Sequence, residues 1–184
     1  MFGNLFARDG ETRRMASRLY GAIVAQARSR ALYADLGVPD TVSGRFEMVV
    51  LHAVLVLERL RAGGDAEGLV GQAVFDLFCA DMDRSLRELG VGDLALPRRM
   101  KQMAESFYGR AEAYGRCLAD GDTRGLAEAF DRNVGGGAPG NSRSLATYAV
   151  AAAAGLAETR DGVLLEARPA FPDPAAFALV PTGQ

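Results

Sequence analysis

Apolar residues recur at three- and four-residue intervals through most of this 184-residue chain, the spacing that lines up one face of an α-helix. Met15, Leu19, Ile23 and Ala27 form such a stripe and predict a helix from Glu11 to about Asp35. Leu36-Gly37-Val38-Pro39 ends it with a glycine suited to a C-cap and a proline that cannot continue the helix. Asp40 or Thr41 then caps a second helix through about Arg61, which Gly63-Gly64 closes. A third, from about Ala66 to Leu89, carries Leu69, Val70, Ala73, Val74, Leu77 and Phe78, then Met82 and Leu86. On its polar side Asp83 precedes Arg87 and Arg84 precedes Glu88 by one turn, pairs worth about 0.2–0.5 kcal/mol each.

Gly90-Val91-Gly92-Asp93 is a stop-and-turn signal, and Pro97 favours the first turn of a fourth helix running to about Ala119. The stripe there is the cleanest in the chain: Met100, Met103, Phe107, Ala111, Tyr114 and Leu118. A short helix from about Thr123 to Asn133 turns Leu126, Ala129 and Phe130 inward, and Gly135 to Ser142 reads as a flexible connection. An Ala-rich helix follows, about Ser144 to Thr159, with side chains small enough for close packing. The last stretch holds four of the seven prolines, which predicts an extended tail laid over the body. Val163-Leu164-Leu165 is nearly the whole strand signal. The expectation is an all-α protein: a flexible lead over residues 1–11, a compact domain of about six helices over 12–160, and an extended Pro-rich tail over 161–184.

The most apolar run, Met48 to Leu57, is about half of the roughly 20 residues that span a bilayer and is flanked by charges, so it reads as a buried helix. The N-terminus lacks a signal-peptide core, and Cys79 and Cys117 suggest neither a zinc site nor a disulfide framework. A cytoplasmic protein is expected. Formal charge is −2 and the sequence pI about 5.5, which leaves no global positive field to draw the chain onto DNA. Twenty of the 21 cations are arginine, and Lys101 is the one lysine.

Candidate chemistry is sparse. His52 lies inside the apolar run with no nucleophile or second ligand in its motif, and a hydrogen-bonded core histidine is expected. Asp76, Asp81 and Asp83 could suggest a magnesium–diphosphate site, but Asp81 and Asp83 lie about 200° apart around a helix instead of stacking on one face. Gly135-Gly136-Gly137 lacks the strand and the Lys-Ser/Thr of a P-loop. Neither metal nor cofactor is predicted.

What remains is a surface suited to contact. The fourth helix combines Met103, Phe107, Tyr108 and Tyr114 with Arg98, Arg99, Lys101 and Arg110, and methionine and aromatic side chains adapt to apolar partners while arginines rim them. The stripe residues among them also suit a core. Tyr108 points about 100° away from Phe107 and is the better exposed anchor. Residues 1–30 carry six arginines against two acids; Phe2, Leu5 and Phe6 with Arg8, Arg13 and Arg14 are candidates for resting on an anionic membrane surface, or for a frayed end with a solvated arginine face.

Several ordered motifs resemble the ubiquinol–cytochrome c chaperone family: Thr41-Val42-Ser43-Gly44-Arg45-Phe46-Glu47 with His52, Asp81-Met82-Asp83 followed by Leu86-Arg87-Glu88, and then Gly90-Val91-Gly92-Asp93, Met100-Lys101-Gln102-Met103 and Phe107-Tyr108-Gly109-Arg110 with Ala113-Tyr114. The resemblance runs from about Tyr20 to Arg132-Asn133 and leaves the glycine loop and the proline-rich tail outside its specific part. It implies an all-helical, non-enzymatic assembly factor for ubiquinol–cytochrome c reductase that holds newly made cytochrome b. Mitochondrial members work with a small partner subunit at the ribosome; this chain resembles a bacterial-type member, at the cytoplasmic face of the inner membrane. Client contact is then expected at the turn and fourth helix, through Asp93, Arg98, Arg99, Lys101, Met103, Phe107, Tyr108, Arg110 and Tyr114. The rivals are an all-α enzyme or binding protein for an isoprenoid-like molecule, favoured by a deep apolar pocket with converging Asp side chains, and a helical adaptor for other assembly factors. A shallow apolar groove with a basic rim favours the chaperone.

Overall fold

The computed structural model describes residues 3–134, 141–166 and 169–178, with the side chains of residues 3–9, Asp161 and Val163 outside that description. Among the described residues every regular element is helical: α1 (Gly3–Ala27), α2 (Arg30–Ala34), α3 (Val42–Arg61), α4 (Asp65–Glu88), α5 (Leu96–Asp120), α6 (Thr123–Asn133), α7 (Asn141–Glu158), α8 (Asp161–Leu165) and a 3-10 turn at Pro174–Phe177. The six longer helices match the six apolar patterns. The Val163-Leu164-Leu165 signal belongs to the single-turn α8, since a short apolar run fits helix and strand alike.

α3 is the centre of the bundle and packs against α1, α4, α5 and α7. From Glu47 to Val56 all its residues except Val49 are buried, which accounts for the most apolar run of the chain. Thr41 caps it by accepting a hydrogen bond from the Gly44 amide at 3.1 Å. Gly37 supplies the left-handed turn before it with φ +68°, and Gly90 does the same after α4 with φ +83°. Pro97 sits in the first turn of α5.

The first predicted helix differs at both ends. It starts at Gly3, eight residues before Glu11, because Asn4 to Arg8 contain no helix breaker and extending an existing helix costs little. It also breaks before Asp35: α1 stops at Ala27, Ser29 adopts ψ 127°, and α2 starts at Arg30. Tyr33 holds the break by donating its hydroxyl to the Ala27 carbonyl at 2.6 Å, satisfying one of the acceptors that a helix end leaves open. Of the two predicted ion pairs on α4, Asp83–Arg87 forms at 2.8 Å and Arg84–Glu88 does not.

The extended tail is expected from residue 161, but Asp161–Leu165 form the helix α8, and it is residues 169–178 that lie across the body. They cross α7 at Gly155, where a Cβ would fall 2.7 Å from the Ala170 carbonyl oxygen. Phe171 and Phe177 then pack on the core. Most of the glycine connection, residues 135–140, lies outside the described residues.

Candidate functional site

Several residues of the sequence motifs act as polar ties between helices. Glu47 on α3 accepts both hydrogen bonds of a bidentate pair from Arg110 on α5, Nε to Oε2 at 2.6 Å and Nη2 to Oε1 at 2.5 Å. The Glu47 side chain is 2% exposed and that of Arg110 17%. Burial pushes the Glu47 carboxyl upward against the pull of Arg110. Tyr20 on α1 donates to Asp81 on α4 at 2.8 Å, and burial together with that carboxylate holds its hydroxyl well above the ordinary range.

His52 is fully buried between α3 and α7. Its Nδ1 lies 2.7 Å from the Met48 carbonyl, which can only accept, so Nδ1 carries the proton. Nε2 therefore accepts from the Tyr148 hydroxyl at 2.7 Å, and Gln26 donates to that same hydroxyl at 3.0 Å and to the Pro172 carbonyl at 3.2 Å. Burial lowers the His52 pKa from 6.5 to about 4 and raises that of Tyr148 to about 12. The imidazole is neutral and fully occupied by structure.

On the other side of α3 an open cavity of about 670 Å³ lies between α1, α3, α4 and α5. Val24, Phe46, Val49 and Met82 line it together with Leu86, Leu89 and Met103. Arg28, Arg45 and Arg99 stand exposed at its edge. Asp81, tied to Tyr20, is its one carboxylate among the lining residues. Val42 and Leu89 are among the most exposed large apolar side chains described, and both line this groove. Asp83 pairs with Arg87 and Asp76 accepts from Gln72, so the three aspartates diverge. No group of three metal-ligating side chains forms among the described residues, and no described helix is long and apolar enough to cross a membrane.

A sequence model described as "Ubiquinol-cytochrome C chaperone" matches residues 34–171, three quarters of the chain. The chain belongs to the ubiquinol–cytochrome c chaperone family. It is also 38% identical to the protein in a solved structure, the crystal structure of the Cbp3 homolog from Brucella abortus, with a TM-score of 0.84 over 95% of this chain and 98% of that one. A curated relative, ubiquinol-cytochrome-c reductase complex assembly factor 1 of Xenopus laevis, is 25% identical over 119 residues. That match takes in 65% of this chain and spans 59% of the relative's length.

The chaperone-family match reaches beyond Asn133, where the motif resemblance ends, and takes in Tyr148 and Phe171, the two aromatic neighbours of His52. Of the nine candidates on the turn and α5, the structure brings Arg99 and Met103 into the groove. Arg98 and Lys101 are exposed on the first turns of α5, with Lys101 3.8 Å from Glu105. Asp93 is exposed and pairs with Arg87 at 2.7 Å. Tyr108 is 60% exposed but lies outside the groove lining, its ring 5.6 Å from that of Phe75. Three candidates do not face outward. Phe107 and Tyr114 are core, Phe107 tilted against Phe78 and Tyr114 edge-on to Phe130, and the Arg110 guanidinium is held by buried Glu47. The 3.6-residue stripe that made α5 attractive is the stripe that packs it onto α3 and α4.

At the N-terminus Arg13 and Arg14 are exposed on α1. Phe2 and the side chains of Leu5, Phe6 and Arg8 lie outside the described residues. Sequence reasoning missed Val24, Arg28, Val42, Val49 and Leu89 as groove residues, because they come from α3 and from the C-terminal ends of α1 and α4, which no linear motif connects.

Proposed function

We propose that this protein is a non-enzymatic chaperone for assembly of ubiquinol–cytochrome c reductase, and that the groove between α1, α3, α4 and α5 holds an apolar segment of newly made cytochrome b. The observation that carries this reading is the groove itself, an open apolar trough edged by three exposed arginines with one carboxylate already tied to a tyrosine. A membrane-protein client exposes apolar helices before assembly, and a surface of methionine, leucine and valine binds such helices without demanding one shape. Its size also falls within the range of ligand pockets, but converging aspartates, which an isoprenoid diphosphate needs, do not accompany it. The client inserts into the inner membrane, so the working place is its cytoplasmic face, with exposed Arg13 and Arg14 available to anionic headgroups.

The test is co-purification. Affinity-tagged protein expressed in cells that make the reductase is expected to retain cytochrome b, and Met103→Glu with Leu89→Glu, which place charge in the trough, to lose at least about 10-fold of it at unchanged helicity. Equal recovery from the variant would refute the groove as the client site.

A further inference from the structure

A second cavity, about 490 Å³, adjoins the groove and is lined by Arg28, Arg30, Tyr33, Ala34, Asp40 and Arg45. Arg28 and Arg45 line both. We propose that this arginine cup is an oxyanion subsite that completes the groove, so that the segment held is a polypeptide whose apolar stretch fills the trough and whose acidic side chain seats in the cup. The inference rests on the groove being a client site and names the chemistry of what it takes.

Three guanidiniums face one carboxylate there, in a chain whose net charge is −2. Arg45 donates to Asp40 at 2.6 Å, but the two side chains are 64% and 57% exposed, and an ion pair so exposed exchanges readily for a better partner. Arg28 and Arg30 have no carboxylate within ion-pair distance among the described residues. Arg28, just after the end of α1, suits the negative end of that helix, so the fold gives it a role. Arg45 has no such role: it lies near the N-terminus of α3, where the helix dipole disfavours a cation. Tyr33 cannot serve the cup as a donor, because its hydroxyl is committed to the Ala27 carbonyl. Guanidinium groups offer paired N–H donors that match the two oxygens of a carboxylate, which fits an aspartate or glutamate side chain.

A polypeptide fits better than a membrane surface. The apolar residues Phe46, Val49, Met82 and Met103 are partly or fully buried in a trough between helices, which the side chains of a polypeptide can enter but a flat bilayer cannot reach.

The test uses the full chain and two fluorescein-labelled helical peptides of about 15 residues, each with a leucine face, one ending in two Glu and the other in two Gln. Anisotropy at low salt is expected to show the Glu peptide binding roughly 10-fold tighter, a preference that falls to about 3-fold or less in Arg30→Gln, at a residue that lines the cup and not the groove, while Gln-peptide affinity stays within about twofold. No preference in the wild type, or the same preference in the variant, overturns the cup. Vesicles of phosphatidylcholine with phosphatidylglycerol form the other arm: loss of vesicle binding in the variant with the peptide preference retained would make the cup a lipid site and overturn the proposal. Met103→Glu separates the two claims. If it abolishes Gln-peptide binding, the groove stands whatever the Glu preference shows; if it leaves that binding intact, the groove falls.

Discussion

The two sides of α3 are finished differently. Toward α7, His52 has a partner for each ring nitrogen, Tyr148 and Gln26 extend the chain of hydrogen bonds, and the tail lies over them with Phe171 edge-on to His52 at 5.2 Å. Toward α4 and α5 the same helix presents Phe46 and Val49 to an open trough edged by arginines. Residues 169–178 cover one apolar face, and the other is open. Closure on one side needs a polar network because a buried imidazole and phenol must be hydrogen-bonded. Openness on the other is tolerated because the trough contains almost no buried polar group needing a partner.

The largest effect should come from the tie beneath the open side. Arg110→Met leaves Glu47 buried without a counter-charge, and a loss of about 3–5 kcal/mol in unfolding free energy is expected by urea denaturation. A loss under about 1 kcal/mol would mean that the pair is not what holds α5 to α3.

Acid should break the closed side next. The unfolded chain protonates His52 near 6.5 and the folded one near 4, so the unfolded state binds more protons between those values. The contribution is complete above pH 6.5 and is lost as pH falls toward 4, amounting to about 3 kcal/mol at the end of that window. His52→Gln, which cannot titrate there, should flatten that part of the stability–pH curve measured by denaturation; an unchanged slope would contradict the buried neutral imidazole. Client recovery on the open side should not change in this variant at pH 7.

The smallest effect concerns the one lysine. Lys101 is exposed, with Glu105 at 3.8 Å, and lies outside the groove lining. Lys101→Arg should change stability by less than about 0.5 kcal/mol and leave cytochrome b recovery unchanged, whereas a clear drop would extend the contact surface beyond the trough.

What the sequence made legible was what depends on near neighbours. The helical stripes, the Gly37 and Gly90 turns, the Thr41 cap and Pro97 all act within one turn of the chain, and each is found where its local pattern places it. The break at Ala27 escaped because it depends on a hydroxyl six residues away reaching back to a carbonyl. Arg110 read as a surface cation because its partner lies 63 residues earlier, and the partner of His52 lies 96 residues later. The groove was hidden for the same reason: its walls are the edges of four stripes, each of which reads as core by itself. Tyr108 is exposed where Phe107 is buried, as helix geometry predicts, but its ring still lies edge-on to Phe107 at 5.9 Å and 5.6 Å from Phe75, contacts that tertiary packing sets.

Site-specific photocrosslinking tests the central claim most directly. A photoreactive residue at position 103, inside the trough, should yield adducts with cytochrome b in cells assembling the reductase, and one at exposed Arg124 on α6 should not. Adducts from position 124 with none from position 103 would contradict the account.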